Sequence, residues 1–141
     1  MTSNWQFWAI LAAIFAALTA IFAKVGVGEI NSNFATFLRT LVVAATLPLL
    51  LLTTGEFQPL SQVPSRTLVF LVLSGLATGA SWLCYFRALQ IGKASQVAPV
   101  DKLSVVFVAI IAALFLGERL SVTGWSGIAL ISVGAILLAT A

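Results

Sequence analysis

The chain has no histidine, one cysteine, one tyrosine and four acidic residues among its 141 positions. Without histidine there is no His-based triad and no His-liganded zinc. Cys84 alone closes no intrachain disulfide and builds no thiolate centre, so neither a metal nor a cofactor is expected. Charged residues make up 8% of the chain, against roughly 25% in a soluble domain. The seven basic residues give a net charge of +3 but form no block. The basic balance therefore reports scarcity of acids, and no nucleic-acid partner is expected. Apolar side chains fill the space left, at 61%. Such a composition needs lipid as its solvent and excludes a disordered chain or a secreted disulfide scaffold.

A membrane helix needs roughly 20 mostly apolar residues to cross a hydrocarbon core of ~30 Å. Five stretches qualify: residues 5–23, 33–52, 67–89, 96–116 and 122–140. The expected fold is all-α, a polytopic integral membrane protein whose five transmembrane helices form one domain over residues 1–141. Gly26, Gly28, Asn31, Gly55, Pro59, Pro64, Gly92 and Gly117 punctuate the connections. The leader, residues 1–4, has no Lys or Arg and the first apolar run is long, so a spanning helix is expected rather than a cleaved signal. Trp5, Trp8 and Trp125 suit an interfacial belt. Orientation is weakly encoded. With the N-terminus outside, Lys24, Arg87 and Lys93 fall in cytoplasmic loops, and Arg66 and Arg119 fall outside. The lean is N-out and C-in, with dual topology open.

Small residues recur at helical spacing. Ala9, Ala13, Ala16, Ala20 and Ala23 line span one, Gly75 and Gly79 form a GxxxG on span three, and Gly124, Gly127 and Gly134 share a face of span five. They serve close packing within the chain or, best on span five, contact with another subunit. Ser74, Thr78, Ser81 and Tyr85 fall on one face of span three, with Trp82 alongside. These hydroxyls either bond back to their own carbonyls or wall a wet cavity.

The intramembrane charges are the sharpest signal. From Leu103 to Leu116 the chain reaches about 21 Å and from Thr40 to Leu52 about 20 Å, both short of ~30 Å. Asp101, Lys102 and Arg39 therefore lie below the headgroups, where a charge costs at least ~2.5–3.5 kcal/mol near the centre. Such groups pair, face protein or water, or snorkel to the headgroups. Asp101 shares a face with Ser104, and its neighbour Lys102 points ~100° away on an ideal helix. Arg39 is the first counter-ion expected for Asp101, and Lys24 the second. Pro99 leaves helix four beginning either near Ser95 or at Pro99 itself.

Several of these residues form a pattern together. Phe22-Ala23-Lys24-Val25-Gly26, Arg39 and Tyr85-Phe86-Arg87-Ala88-Leu89 resemble the EamA unit of the drug/metabolite transporter superfamily. So do Ala98-Pro99-Val100-Asp101-Lys102-Leu103-Ser104 and Gly117-Glu118-Arg119-Leu120 before a glycine-rich last span. The single five-span length and the Pro-Val-Asp-Lys-Leu-Ser run resemble its small bacterial/archaeal transporter branch. Typical members carry two five-span units in inverted topology, so the resemblance implies that this unit pairs with a second copy of itself or with a paralogous unit. It also implies export or exchange of small metabolites. The four-span multidrug branch couples protons through a span-one glutamate, and span one here has no acid, so that mechanism does not carry over.

The expectation is a transporter subunit in a bacterial inner or archaeal membrane, not an enzyme, moving a small metabolite or amphipathic compound by alternating access. Among the substrate or coupling residues, Asp101 is the ionisable group, Arg39 and Lys102 are its charge partners and Lys24 a further cation, and Ser74, Thr78, Ser81, Trp82, Tyr85 and Ser104 form the cavity wall. The alternative is a structural or regulatory membrane subunit that transports nothing.

Overall fold

A computed structural model describes residues 4–141. Residues 1–3 of the leader lie outside it. Six helices follow in order: α1 (Trp5–Gly26), α2 (Ser32–Thr54), α3 (Ser65–Ile91), α4 (Ala94–Asp101), α5 (Ser104–Phe115) and α6 (Val122–Thr140), with a 3-10 turn at Leu60–Gln62 between α2 and α3. No strand occurs among the described residues. Counting α4 and α5 as one span, five helical segments of 22, 23, 27, 22 and 19 residues are long and apolar enough to cross a membrane. Lipid offers backbone groups no partner, so an apolar chain satisfies them internally as helix.

The ends are set by local chemistry. The Asn31 side chain accepts from the N–H groups of Asn33 and Phe34 and so caps α2. Ser121 caps α6 by accepting from Gly124 N–H. Gly55 (φ 70°) and Gly117 (φ 69°) stop α2 and α5 in the left-handed region that favours glycine. Beyond Gly117, the Glu118 N–H reaches back to the Ala112 carbonyl at 3.1 Å and closes the last turn.

The fourth span departs from the single helix expected. It starts at Ala94, close to the earlier of the two starts left open, with Pro99 inside α4, and is interrupted after Asp101. Pro99 has no N–H to give the Ser95 carbonyl. Beyond it the bonds tighten to three-residue spacing: Lys102 N–H to Pro99, Leu103 to Val100, Val105 to Lys102 and Val106 to Leu103, at 3.0–3.1 Å. Lys102 (φ −70°, ψ −7°) and Leu103 (φ −61°, ψ −15°) keep the right-handed hand, so the span turns tightly and continues as α5.

The chain forms two compact units, residues 1–22 with 91–141, and residues 23–90. In the first, α6 packs against α4 and α5, and the buried side chains are small: Ala20, Ala109, Ala112 and Ala135. Small residues let backbones approach where lipid supplies no hydrophobic drive. A Cβ on Gly124 would meet the Leu120 side chain at 3.3 Å, whereas one on Gly127 or Gly134 would meet nothing within 4 Å. In the second unit the core sits where the end of α1, the start of α2 and the end of α3 meet. Val27 and Leu89 are fully buried in this unit, and Ala23, Ser32, Ala35, Thr36 and Phe86 are buried as well.

Candidate functional site

The candidate charges within the spans fall into two places, one in each unit. In the second unit, Arg39 stands about 10 Å along α2 from its start. The turns on either side of it are tightened by hydroxyls that bond back four residues, Thr36 to the Ser32 carbonyl (2.9 Å) and Thr40 to the Thr36 carbonyl (2.8 Å). The Arg39 guanidinium lies over the Trp82 ring, 4.0 Å from its centroid, and 5.6 Å from that of Phe86. Trp82 and Phe86 are four residues apart and so present one face of α3. A cation over an aromatic face gains about 0.5–1 kcal/mol when exposed and about 2 kcal/mol when desolvated. Tyr85, also half-buried, is within electrostatic reach of the guanidinium.

The rest of the hydroxyl stripe lies round the helix from this face. Ser74, Thr78 and Ser81 are exposed. Thr78 bonds back to the Ser74 carbonyl at 2.9 Å, the local alternative to lining a cavity. Lys24 donates to the Leu89 carbonyl at 2.6 Å. That places a cation on the last turn of α3, where the orphan carbonyls and the helix dipole both favour one. Gln90 donates to the Ile30 carbonyl (3.0 Å) and accepts from Arg87 (2.9 Å), tying the same end together.

In the first unit, Asp101 and Lys102 fall at the interruption between α4 and α5. Lys102 Nζ donates to Asp101 Oδ2 at 3.3 Å. Within its unit Asp101 is reached by Lys102, one of its expected charge partners, whose long stem folds back across the tight turn. The pair is open, with side-chain exposures of 62% for Lys102 and 36% for Asp101. Lys102 and Ser104 also line a groove of about 450 Å3 with Val105, Val108 and Ile131. Among the described residues no group of His, Cys, Asp or Glu could hold a metal ion.

Residues 39, 82, 85 and 86 thus come together in one unit, and 101, 102 and 104 in the other. Three features escaped the sequence reading: Phe86 as a second ring near Arg39, Gln90 as a tie between connections, and Val105, Val108 and Ile131 as a groove. For Phe86 the i, i+4 spacing from Trp82 was the available signal.

Five apolar spans with short connections and charges inside the apolar runs define a multi-pass helical membrane protein. The chain belongs to the EamA-like transporter family, whose profile matches residues 3–140. It is 59% identical over 139 residues to an uncharacterized transporter in the cobO 3′ region of Sinorhizobium sp, covering 99% of each chain. No solved structure matches. The motif residues fall at the end of α1, within α2, on the last turns of α3, at the α4–α5 interruption and in the loop before α6.

Proposed function

We propose that this five-helix unit works with a second one, a copy of itself or a paralogue, to move a small metabolite or amphipathic compound by alternating access. The observation that carries the reading is the interrupted fourth span. Transporters build midplane sites from discontinuous helices, where backbone groups and charged side chains meet a cavity. Here the interruption brings Asp101, Lys102 and Ser104 to one place beside a groove. Asp101 is the substrate or coupling group, with Lys102 its charge partner. Arg39 and Lys24 supply positive charge in the other unit, where Trp82, Tyr85, Ser74, Thr78 and Ser81 are the wall residues.

Pairing is supported by the small residues of α3 and α6. A Cβ added at Gly75 or Gly79 would meet nothing within 4 Å, as at Gly127 and Gly134 of α6, so both small-residue stripes leave room for a second helix. The weak charge bias between loops suits antiparallel copies.

The test is purified protein in liposomes with a pH-sensitive dye inside, challenged with a panel of small metabolites and amphipathic compounds. Substrate-dependent proton movement is expected. Asp101→Asn keeps the side-chain shape and removes the charge, so it should lower the initial rate by at least about tenfold, roughly 1.4 kcal/mol of barrier, with insertion intact. A variant that transports fully makes Asp101 structural. A variant that no longer folds favours the alternative, a membrane subunit held together by its charges.

A further inference from the structure

We infer that Arg39 and the rings beneath it form a receptor for the carboxylate of an amphipathic organic anion. The inference deepens the transporter reading above and rests on it for its place in transport, but not for binding itself. A guanidinium is always charged, carries five N–H donors in one plane and accepts nothing. The Arg39 group lies over Trp82, so ring contact engages one face of the fork. Within its own unit no ion pair and no side-chain hydrogen bond involves it, and Tyr85 is its electrostatic neighbour. The acids of its own unit, Glu29 and Glu56, do not pair with it, and Glu56 accepts from Thr54 instead.

The donors are also reachable. No fully buried side-chain nitrogen among the described residues lacks a partner and Arg39 is half-buried, so its unbonded nitrogens keep some exposed surface in their own unit. A half-buried cation with a free fork, inside a membrane span, calls for a planar oxyanion that takes two parallel N–H bonds. The half-buried Trp82 and Tyr85 beside it supply aromatic surface for the apolar body of the same molecule. A lipid phosphate shares the oxyanion chemistry, and the experiment separates the two sources.

Trp82 is its own reporter once Trp5, Trp8 and Trp125 are replaced by Phe. That variant is placed in phosphatidylcholine nanodiscs and titrated with 3-phenylpropionate, 3-phenylpropionamide and 3-phenylpropylamine. The acid should change Trp82 emission saturably and bind at least about tenfold tighter than the amide, the equivalent of one charge-assisted hydrogen bond. Arg39→Lys keeps the charge and loses the fork, so it should weaken the acid several-fold, and Arg39→Gln should bring acid and amide level. The helical circular dichroism of each variant must match the parent. Equal binding of acid and amide, no saturable response to the acid, or undiminished acid binding by a folded Arg39→Gln protein would each overturn the proposal. So would loss of acid binding when phosphatidylglycerol is added, because the fork then holds a lipid phosphate. Acid binding without movement of any solute in liposomes would leave the receptor standing and remove the transporter reading.

Discussion

The two charged places treat the same difficulty in different ways. Asp101 and Lys102 cancel each other's charge at a tight turn, inside a unit whose buried residues are alanines. Arg39 has no opposite charge beside it in its unit and lies on a bed of rings above a core of larger side chains. A neutral pair at a helix interruption is open and able to rearrange, because little packing holds it. A cation over fixed rings is held in position while its donors stay available.

The framework beneath Arg39 gives the largest expected effect. Leu89 is fully buried on the same end of α3 as Phe86, so Leu89→Ala should destabilise by about 2–5 kcal/mol in reversible detergent unfolding. Val108, in the groove beside Lys102, is 62% exposed, and Val108→Ala should stay within about 0.5 kcal/mol. Comparable losses would show that the groove is as tightly packed as the other unit, and the contrast would fail.

Double-mutant cycles compare the two places directly. Arg39→Met with Trp82→Leu should give a coupling of about 0.5–2 kcal/mol, as expected for a cation over a ring. The exposed pair, tested with Asp101→Asn and Lys102→Gln, should couple by less than about 1 kcal/mol. A reversed order would make Asp101–Lys102 the rigid element. The smallest effect is expected at Gly75. A methyl there meets open space, so Gly75→Ala should leave the unfolding of monomer within about 0.5 kcal/mol of the parent. Should α3 carry the contact with a second unit, the same change would weaken dimer in a dilution series, since a GxxxG face depends on close backbone approach.

Much of the fold was legible in one dimension. The last span, residues 122–140, coincides with α6, and the other outer boundaries fall within about three residues of the observed helix ends, the usual uncertainty of helix termini. Asn31, Gly55 and Gly117 acted where turn chemistry placed them. The charges were also legible as unusual, because their depth follows from counting residues at 1.5 Å each. The geometry that joins Asp101 to Lys102, one of its expected charge partners, was not. Spacing on an ideal helix separates Asp101 from Lys102, and the tightened turn with a flexible lysine stem brings their charges to 3.3 Å. Lys24 donates to the Leu89 carbonyl 65 residues away, a contact that no spacing in the sequence marks.

The sequence by itself determined that the chain lives in lipid, how many times it crosses, where the crossings end and which family it resembles. Bilayer thickness and the need to satisfy every backbone group internally turn composition and length into helices without reference to any other part of the chain. Only the tertiary structure decided that Arg39 rests on Trp82 and Phe86, that the fourth span tightens at Lys102 and Leu103, and that Val27 and Leu89 are fully buried. In an almost wholly apolar chain, hydrophobicity does not distinguish a residue facing lipid from one facing protein. The choice falls to side-chain shape and to the few polar groups, whose partners are set in three dimensions.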